Sequence, residues 1–133
     1  MTDVFLDTVG MIAVWDETDQ WHAPAKAAYE QLLAEGRRLV TTTLVLCECA
    51  NASARRTYRP DVCELRKALI NERLLIEPVA QEIEQAWIAY ERGEAAQAGI
   101  VDHVSFLVMR RLDITEAFTN DKHFQAAGFT VLF

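Results

Sequence analysis

The stretch Val4-Phe5-Leu6-Asp7-Thr8 combines a short apolar run with a carboxylate that ends it. Three consecutive apolar residues, which neither alternate nor reach helical length, predict a strand covered on both faces in a parallel sheet. In open α/β sheets, ligands bind just beyond the carboxyl ends of the strands. Asp7 is therefore a candidate functional residue, although it could equally serve only as the N-cap of a helix over residues 9–15.

The rest of the chain alternates between helical and strand patterns. Further strands are predicted at 39–42, 74–79, 116–119 and 130–133, and the main helices at 20–35, 44–56, 61–71, 80–92 and 104–112. Strands that alternate with helices predict an α/β fold with a parallel sheet and right-handed crossovers. With 133 residues, the chain is expected to form a single domain, residues 1–133.

Several local patterns carry smaller predictions. Gly36 and Gly93 are placed to end helices. Thr43 is predicted to cap the helix over 44–56, and Asp61 with Glu64 is predicted to begin the helix over 61–71. On the helices over 20–35 and 80–92, the large apolar residues are expected to face the core. They include Trp21, Leu33, Trp87 and Tyr90.

Composition and charge restrict the function. Lys and Arg number 13 and Asp and Glu number 20, so the net charge is −7 and the pI is near 4.9. Non-specific nucleic-acid binding normally needs a basic surface, but a metal-dependent nuclease remains possible if clustered carboxylates hold cations. The sequence has no apolar run of membrane-span length and no N-terminal basic region followed by an apolar one, which predicts a cytoplasmic protein.

The three cysteines, Cys47, Cys49 and Cys63, form no C-x-x-C pair. Neither a disulfide framework nor a zinc site is therefore predicted, and ordinary buried thiols are expected. The three histidines are scattered, and Asp102, His103 and Ser105 are too close on one helix to form a catalytic relay.

Three further acids occupy places comparable to that of Asp7. Glu48 lies within the mostly apolar helix over 44–56, Asp102 opens the helix over 104–112, and Asp121 follows the strand over 116–119. A carboxylate in a buried helix is costly unless it is paired or bound to metal; for Glu48 the alternative is an ion pair with Arg55 or Arg56. Four acids at one sheet edge repel one another and need a cation. All-oxygen ligands favour Mg²⁺ or Mn²⁺ over zinc.

These residues together resemble a PIN-domain ribonuclease, and within that family a VapC-type toxin of bacterial toxin–antitoxin pairs. The likeness covers essentially the whole chain, and the stretch 101–133 is its most specific part. Val9, the segment 96–100 and Asp113 depart from the usual family pattern. The motifs that carry the resemblance are Asp7-Thr8, Glu48 followed by Asn51, Asp102-His103-Val104-Ser105-Phe106, and Thr119-Asn120-Asp121-Lys122-His123-Phe124 followed by Ala127-Gly128.

The resemblance implies a three-layer α/β/α fold with a central five-stranded parallel sheet, a homodimer, an antitoxin partner and endonucleolytic cleavage of RNA. It assigns Mg²⁺ or Mn²⁺ to Asp7, Glu48, Asp102 and Asp121. Polar support is expected from Thr8, Asn51, Ser105 and Thr119. Arg55, Arg56, Arg59 and Lys122 are candidates for RNA phosphate contacts.

Two other classes of protein compete with this interpretation. A receiver-like phosphoacceptor is also a small acidic α/β domain with Mg²⁺ at strand ends, but it needs paired acids after the first strand and a lysine after a late one. Here Asp7 is followed by Thr8 and Val9, and Lys122 is the only candidate lysine. A non-catalytic PIN-like interaction module would bind Mg²⁺ weakly or not at all.

Overall fold

A computed structural model describes residues 2–133. The strands are β1 (Val4–Leu6), β2 (Leu39–Thr42), β3 (Leu75–Ile76), β4 (Glu116–Phe118) and β5 (Thr130–Val131). The helical segments are α1 (Thr8–Trp15), α2 (His22–Ala34), α3 (Thr43–Ser53), α4 (Arg59–Asn71), α5 (Ala80–Glu91), α6 (Glu94–Gln97), α7 (Ile100–Arg111) and α8 (Lys122–Ala126). Strands and helices therefore alternate as the sequence predicted.

The five strands form one parallel sheet in the order β3-β2-β1-β4-β5. The prediction of a five-stranded parallel sheet is confirmed. Receiver domains have the strand order 2-1-3-4-5, so the observed order argues against the receiver-like alternative. The connections run to one side from β1 through β3 and then return past β1 to β4, which makes the gap between β1 and β4 the topological switch point.

Helices cover the sheet on both faces. Because parallel crossovers are right-handed, the outward connections place α1 to α4 on one face, and the returning connection places α5 to α7 on the other. The helix contacts agree, since α1 packs on α2 and α3, and α5 packs on α7. β1 lies at the centre, with Val4, Phe5 and Leu6 fully buried, as expected for a strand covered on both sides.

Several boundaries differ from the sequence predictions. β3 is only Leu75–Ile76, because Pro78 lacks the N–H that a longer strand would need. α7 begins at Ile100, so Asp102 lies inside its first turn rather than before it. α4 begins at Arg59 with Pro60 in its first turn, a position that tolerates proline. Asp61 therefore lies within the helix and does not cap it.

The helix caps are partly as predicted. Gly36 and Gly93 follow α2 and α5 with positive φ angles of 66° and 64°, which confirms both helix ends. The N-cap of α3 is Thr42, whose hydroxyl accepts a hydrogen bond from the Val45 amide at 3.2 Å. The prediction of Thr43 as this cap was wrong by one residue, because Thr43 already has helical geometry.

Some apolar side chains expected in the core are exposed. Trp87 and Tyr90 on α5 are 46% and 48% exposed, and Trp21 and Leu33 near α2 are similarly accessible. The prediction that these four residues face the core was wrong, because helical spacing identifies an apolar stripe but does not show whether the same chain covers it. The expectation of buried thiols also fails for Cys47 and Cys63, which are exposed, and holds for Cys49.

No helix within residues 2–133 combines the length and the apolar character that crossing a membrane requires.

Candidate active site

Asp7 lies where β1 ends, at the switch point between β1 and β4. It occupies the N-cap position of α1, but its side chain makes no capping hydrogen bond. Instead, Oδ2 of Asp7 accepts a hydrogen bond of 2.8 Å from the Thr119 hydroxyl, and Asp7 is only 2% exposed. Capping therefore does not account for the Asp7 side chain, which is held by the residue that follows β4.

A close approach between α1 and β4 sets this geometry. A Cβ atom on Gly10 would lie 2.1 Å from the Phe118 carbonyl oxygen and 2.7 Å from the Phe118 ring. Only glycine lets the first turn of α1 rest on the end of β4 in this way. Gly10 thus brings the residues after β1 and β4 together.

Glu48 reaches the same edge from the middle of α3. Its Oε1 accepts a hydrogen bond of 2.7 Å from the Thr8 hydroxyl. No ion pair joins Glu48 to an arginine in the part of the chain that the structure describes. Arg55 and Arg56, the partners proposed as an alternative, are both exposed.

Asp102 and Asp121 complete the group of acids. Asp102 lies in the first turn of α7, and Asp121 is the N-cap of α8, where its Oδ1 accepts the His123 amide at 2.9 Å. The same oxygen lies 2.7 Å from Nδ1 of His123. One potential ligand atom from each of Asp102, Asp121 and His123 lies within 4.8 Å of the others.

The four carboxylates open into one cavity of about 610 Å³. Asp7 comes from the end of β1, and the other three acids come from three different connections between strands. The cavity therefore exists only in the folded chain. Its lining residues are Asp7, Thr8, Val9, Glu48, Asn51, Ala52, Asp102 and Asp121.

The proximity of these acids changes their ionisation. Burial, with the charge of Asp102 next in weight, raises the pKa of Asp7 to about 7. Burial and the charges of Asp121 and Glu48 raise the pKa of Asp102 to about 6, and the nearby His123 acts in the opposite direction. Both carboxylates thus hold protons more tightly than usual, chiefly because they are buried and then because they lie close to other acids. A bound divalent cation would favour their ionised forms.

Of the four polar residues expected around the acids, two form hydrogen bonds to a carboxylate and two do not. Thr119 bonds to Asp7 and also accepts a hydrogen bond of 3.1 Å from the Asp121 amide, while Thr8 bonds to Glu48. Asn51 lines the cavity without a side-chain hydrogen bond to an acid. Ser105 lies outside the cavity, because its hydroxyl donates to the Val101 carbonyl in its own helix at 2.9 Å.

The basic candidates are all exposed, and none of them lines this cavity itself. Arg55 and Arg56 lie in the turn that follows α3 and line another cavity, of about 580 Å³. Arg59 donates to the Ala54 carbonyl at 3.1 Å, and Lys122 immediately follows Asp121. They are therefore accessible to a phosphate backbone, and none forms an ion pair with the four acids among the residues described.

Sequence reasoning missed His123 at this site. It found no histidine in a suitable position, because the contact with Asp121 depends on the turn that begins α8. An Asp-x-His spacing at a helix N-terminus is the signal that could have identified it, since a capping aspartate faces the residue two positions later. His103 is instead packed edge-on against Phe106 in the core, so the rejection of an Asp102-His103-Ser105 relay agrees with the structure.

Comparisons with known proteins agree with this fold. The PIN domain family matches residues 4–130, and the chain belongs to that family. It is 28% identical over 127 residues to the 23S rRNA-specific endonuclease VapC20 of two Mycobacterium tuberculosis strains, CDC 1551 / Oshkosh and ATCC 25618 / H37Rv, covering 95% of each chain.

A solved structure gives the same result. The crystal structure of Mycobacterium tuberculosis VapC20, a toxin that cleaves the sarcin-ricin loop, superposes with a TM-score of 0.76 at 28% identity, over 96% of this chain and 97% of that one. The resemblance to VapC-type PIN proteins expected from the sequence is therefore confirmed. The α/β PIN-like fold is confirmed as well, and these likenesses support a nuclease, a hydrolase of phosphodiester bonds.

Proposed function

We propose that this protein is a metal-dependent endoribonuclease that hydrolyses RNA phosphodiester bonds and acts in the cytoplasm as the toxin of a toxin–antitoxin pair. The observation that carries the proposal is the convergence of four carboxylates on one cavity at the switch point of a PIN-domain sheet. Clusters of this kind suit divalent-metal hydrolysis of phosphodiesters. The likeness to a 23S rRNA-specific endonuclease supports RNA as the substrate.

The donor set fits a hard divalent cation, Mg²⁺ or Mn²⁺. Every carboxylate in the cavity offers oxygen ligands, and the four acids lie close enough for the charges of Asp121 and Glu48 to raise the pKa of Asp102 beyond the effect of burial. We assign Asp7, Glu48, Asp102 and Asp121 as the ligands. When bound, the cation supplies Lewis-acid polarisation of the phosphate and activation of water.

The chain's own residues organise the reaction around these ligands. The Thr119 hydroxyl holds the Asp7 carboxylate in one orientation, and the Thr8 hydroxyl does the same for Glu48. Such supporting hydrogen bonds keep ligand oxygens directed at the metal position. Asn51, at the cavity lining without a bond to an acid, is placed to donate to a phosphate oxygen.

Substrate binding outside the acidic cavity is assigned to basic side chains. Arg55, Arg56, Arg59 and Lys122 are exposed near the cavity, and arginine and lysine contacts to phosphates supply most of the affinity in sequence-independent RNA binding. Following the relatives, the substrate class is a structured ribosomal RNA segment, in which a loop can present its backbone to the cavity.

Two protein partners belong to the same proposal. A second copy of this chain is expected to cover the exposed face of α5, where Val79, Trp87 and Tyr90 recur at helical spacing and each is nearly half exposed. An antitoxin is expected to neutralise the nuclease. Gel filtration with light scattering tests the dimer: Trp87→Ala combined with Tyr90→Ala should shift the wild-type dimer to a monomer.

The decisive experiment measures cleavage of purified ribosomal RNA with Mg²⁺ or Mn²⁺, with EDTA, and with Asp121→Asn. Asparagine caps a helix as well as aspartate does, so this variant removes a ligand charge without removing the cap. Discrete cuts that need metal and disappear in Asp121→Asn support the proposal, and the matched change Asp113→Asn, at an exposed residue just after the end of α7, should leave cutting unchanged. An intact RNA pool, together with weak or absent metal binding in calorimetry, would instead favour a non-catalytic PIN-like module.

A further inference from the structure

Two exposed cysteines, Cys47 on α3 and Cys63 on α4, belong to the hairpin that these two helices form. They line the same small cavity, of about 220 Å³. On α3 its lining residues follow one helical stripe, Thr43, Leu46, Cys47 and Ala50, and on α4 a second stripe, Val62, Cys63 and Arg66. The two thiols therefore lie on the facing stripes of two helices that pack against each other.

Counted from the turn over residues 54–58, the two cysteines also lie at similar distances along their helices. Cys47 precedes the last residue of α3, Ser53, by six positions, which is about 9 Å along the axis at 1.5 Å per residue. Cys63 follows the first residue of α4, Arg59, by four positions, or about 6 Å. A difference of roughly 3 Å is within the reach of two cysteine side chains on adjacent helices.

We propose that Cys47 and Cys63 are a covalent modification site, a dithiol that small disulfides convert reversibly into an intramolecular disulfide. In the first step one cysteine thiolate attacks a sulfur of the small disulfide, forming a mixed disulfide and releasing one small thiolate. The second cysteine thiolate then attacks the protein sulfur of that mixed disulfide and releases the other small thiolate. The two protein thiols are oxidised, the small disulfide is reduced to two thiols, and the two cysteine protons pass to them.

The third cysteine is excluded from this chemistry by its surroundings. Cys49 is fully buried, so a small disulfide in solution cannot reach its sulfur. Cys47 directly precedes Glu48 on α3. A disulfide between Cys47 and Cys63 would therefore join α3, the helix that carries this acid, covalently to α4. The proposal stands independently of the nuclease activity, because it concerns only thiols and the packing of two helices.

The test treats the full reduced chain with Ellman's reagent, a small aromatic disulfide, without denaturant at mildly alkaline pH. An intramolecular disulfide releases two equivalents of the coloured thiol per chain and leaves none attached, so the intact mass falls by two hydrogens. Tryptic mapping should then join the peptides of Cys47 and Cys63, and dithiothreitol should restore the original mass.

The single variants Cys47→Ser and Cys63→Ser provide the control. Each should release one equivalent and retain one aromatic group, because no second thiol is present to displace it, while Cys49→Ala should behave as wild type. The proposal is overturned if wild type retains two aromatic groups, if the link joins two chains instead of one, or if neither exposed thiol reacts.

Discussion

The Thr119 hydroxyl donates a 2.8 Å hydrogen bond to the Asp7 carboxylate, although 112 positions separate these residues in the chain. Both residues are buried, and each follows one of the two strands that flank the switch point. The bond therefore requires β1 and β4 to be paired in the observed register, in which Leu6 lies beside Phe118. The alignment of the central sheet thus determines the orientation of the most buried acid in the site.

Removing this hydroxyl is expected to impair the nuclease without dismantling the cavity. Thr119→Val keeps the side-chain shape but leaves Asp7 without its donor, and loss of such a supporting bond typically costs roughly 10- to 100-fold in activity or metal affinity. Thr119→Ser, which retains the hydroxyl, should recover most of the loss. Calorimetric Mn²⁺ affinity and the RNA cleavage rate are the two measurements. Equal activity in the valine variant would show that Thr119 has no role in orienting Asp7.

The raised pKa values of Asp7 and Asp102 predict opposite pH effects with and without metal. Both pKa values, about 7 and about 6, lie above the ordinary aspartate value, so the folded metal-free protein binds protons more tightly than the unfolded chain. Its free energy of unfolding should therefore fall as pH rises from about 4 through about 7. Metal binding requires the ionised carboxylates, so stabilisation by Mn²⁺ should grow over the same range.

Thermal unfolding between pH 5 and pH 8, with EDTA and with Mn²⁺, measures both effects. Asp7→Asn supplies the comparison, because a neutral amide removes the buried charge. This variant should be at least as stable as wild type at pH 8 in EDTA and should gain less from Mn²⁺. A metal-free wild type whose stability rises steadily through this range would contradict the assigned origin of the pKa shifts.

Much of this site could be predicted from the sequence, because a carboxylate that follows a short apolar run indicates the end of a strand. Asp7 and Asp121 were recognisable for that reason, and Glu48 because a charge in an apolar helix needs a partner. The His123 contact with Asp121 could not be predicted, since it depends on the turn that begins α8. The exposure of Trp87 was also beyond reach, because an apolar stripe has the same spacing whether its own chain or another protein covers it.

A methyl group at Gly10 should damage both stability and activity. In Gly10→Ala the added Cβ would overlap the Phe118 carbonyl oxygen, which is backbone and cannot move aside, so α1 must shift away from β4. Overpacking of this kind typically costs about 1–3 kcal/mol. The shift would also displace Asp7 from Thr119, so cleavage should fall further than the lost stability explains.

Urea unfolding and RNA cleavage by Gly10→Ala are compared with those of Gly99→Ala. Gly99 has no neighbouring atom within 4 Å of the added group and a negative φ of −72°. Its variant should lose no more than about 1 kcal/mol, the usual effect of a poorer N-cap residue. Similar losses in both variants would mean that the contact with Phe118 is unimportant.

Asp113 offers a stabilising substitution away from the cavity. It follows α7 with a positive φ of 57°, the conformation that glycine adopts with the least strain, and the Ile114 amide bonds to the Met109 carbonyl at 2.8 Å. The left-handed conformation costs an L-residue roughly 1–2 kcal/mol, and the greater freedom of glycine in the unfolded chain offsets about 0.5–1 kcal/mol of this, so Asp113→Gly should raise the free energy of unfolding by up to about 1 kcal/mol. Urea unfolding measures the change, and RNA cleavage should be unaffected. Asp113→Ala, which keeps the strain, should bring no comparable gain.

The arginines beyond the acidic cavity should contribute to RNA affinity and its dependence on salt. Arg55 and Arg56 lie in the turn that follows α3, are exposed, and are accessible to RNA phosphates outside the acidic cavity. Replacing both with serine should weaken binding of an RNA oligonucleotide measured in EDTA, where cleavage is absent. The slope of log affinity against log salt should become shallower by about 0.7 for each single-strand phosphate that the variant no longer neutralises.

Arg38→Ser is the matched control, because Arg38 is 65% exposed and precedes β2, at the opposite edge of the sheet from the acids. Binding that is equally weakened by both changes would indicate a general charge effect and would remove Arg55 and Arg56 from the substrate path.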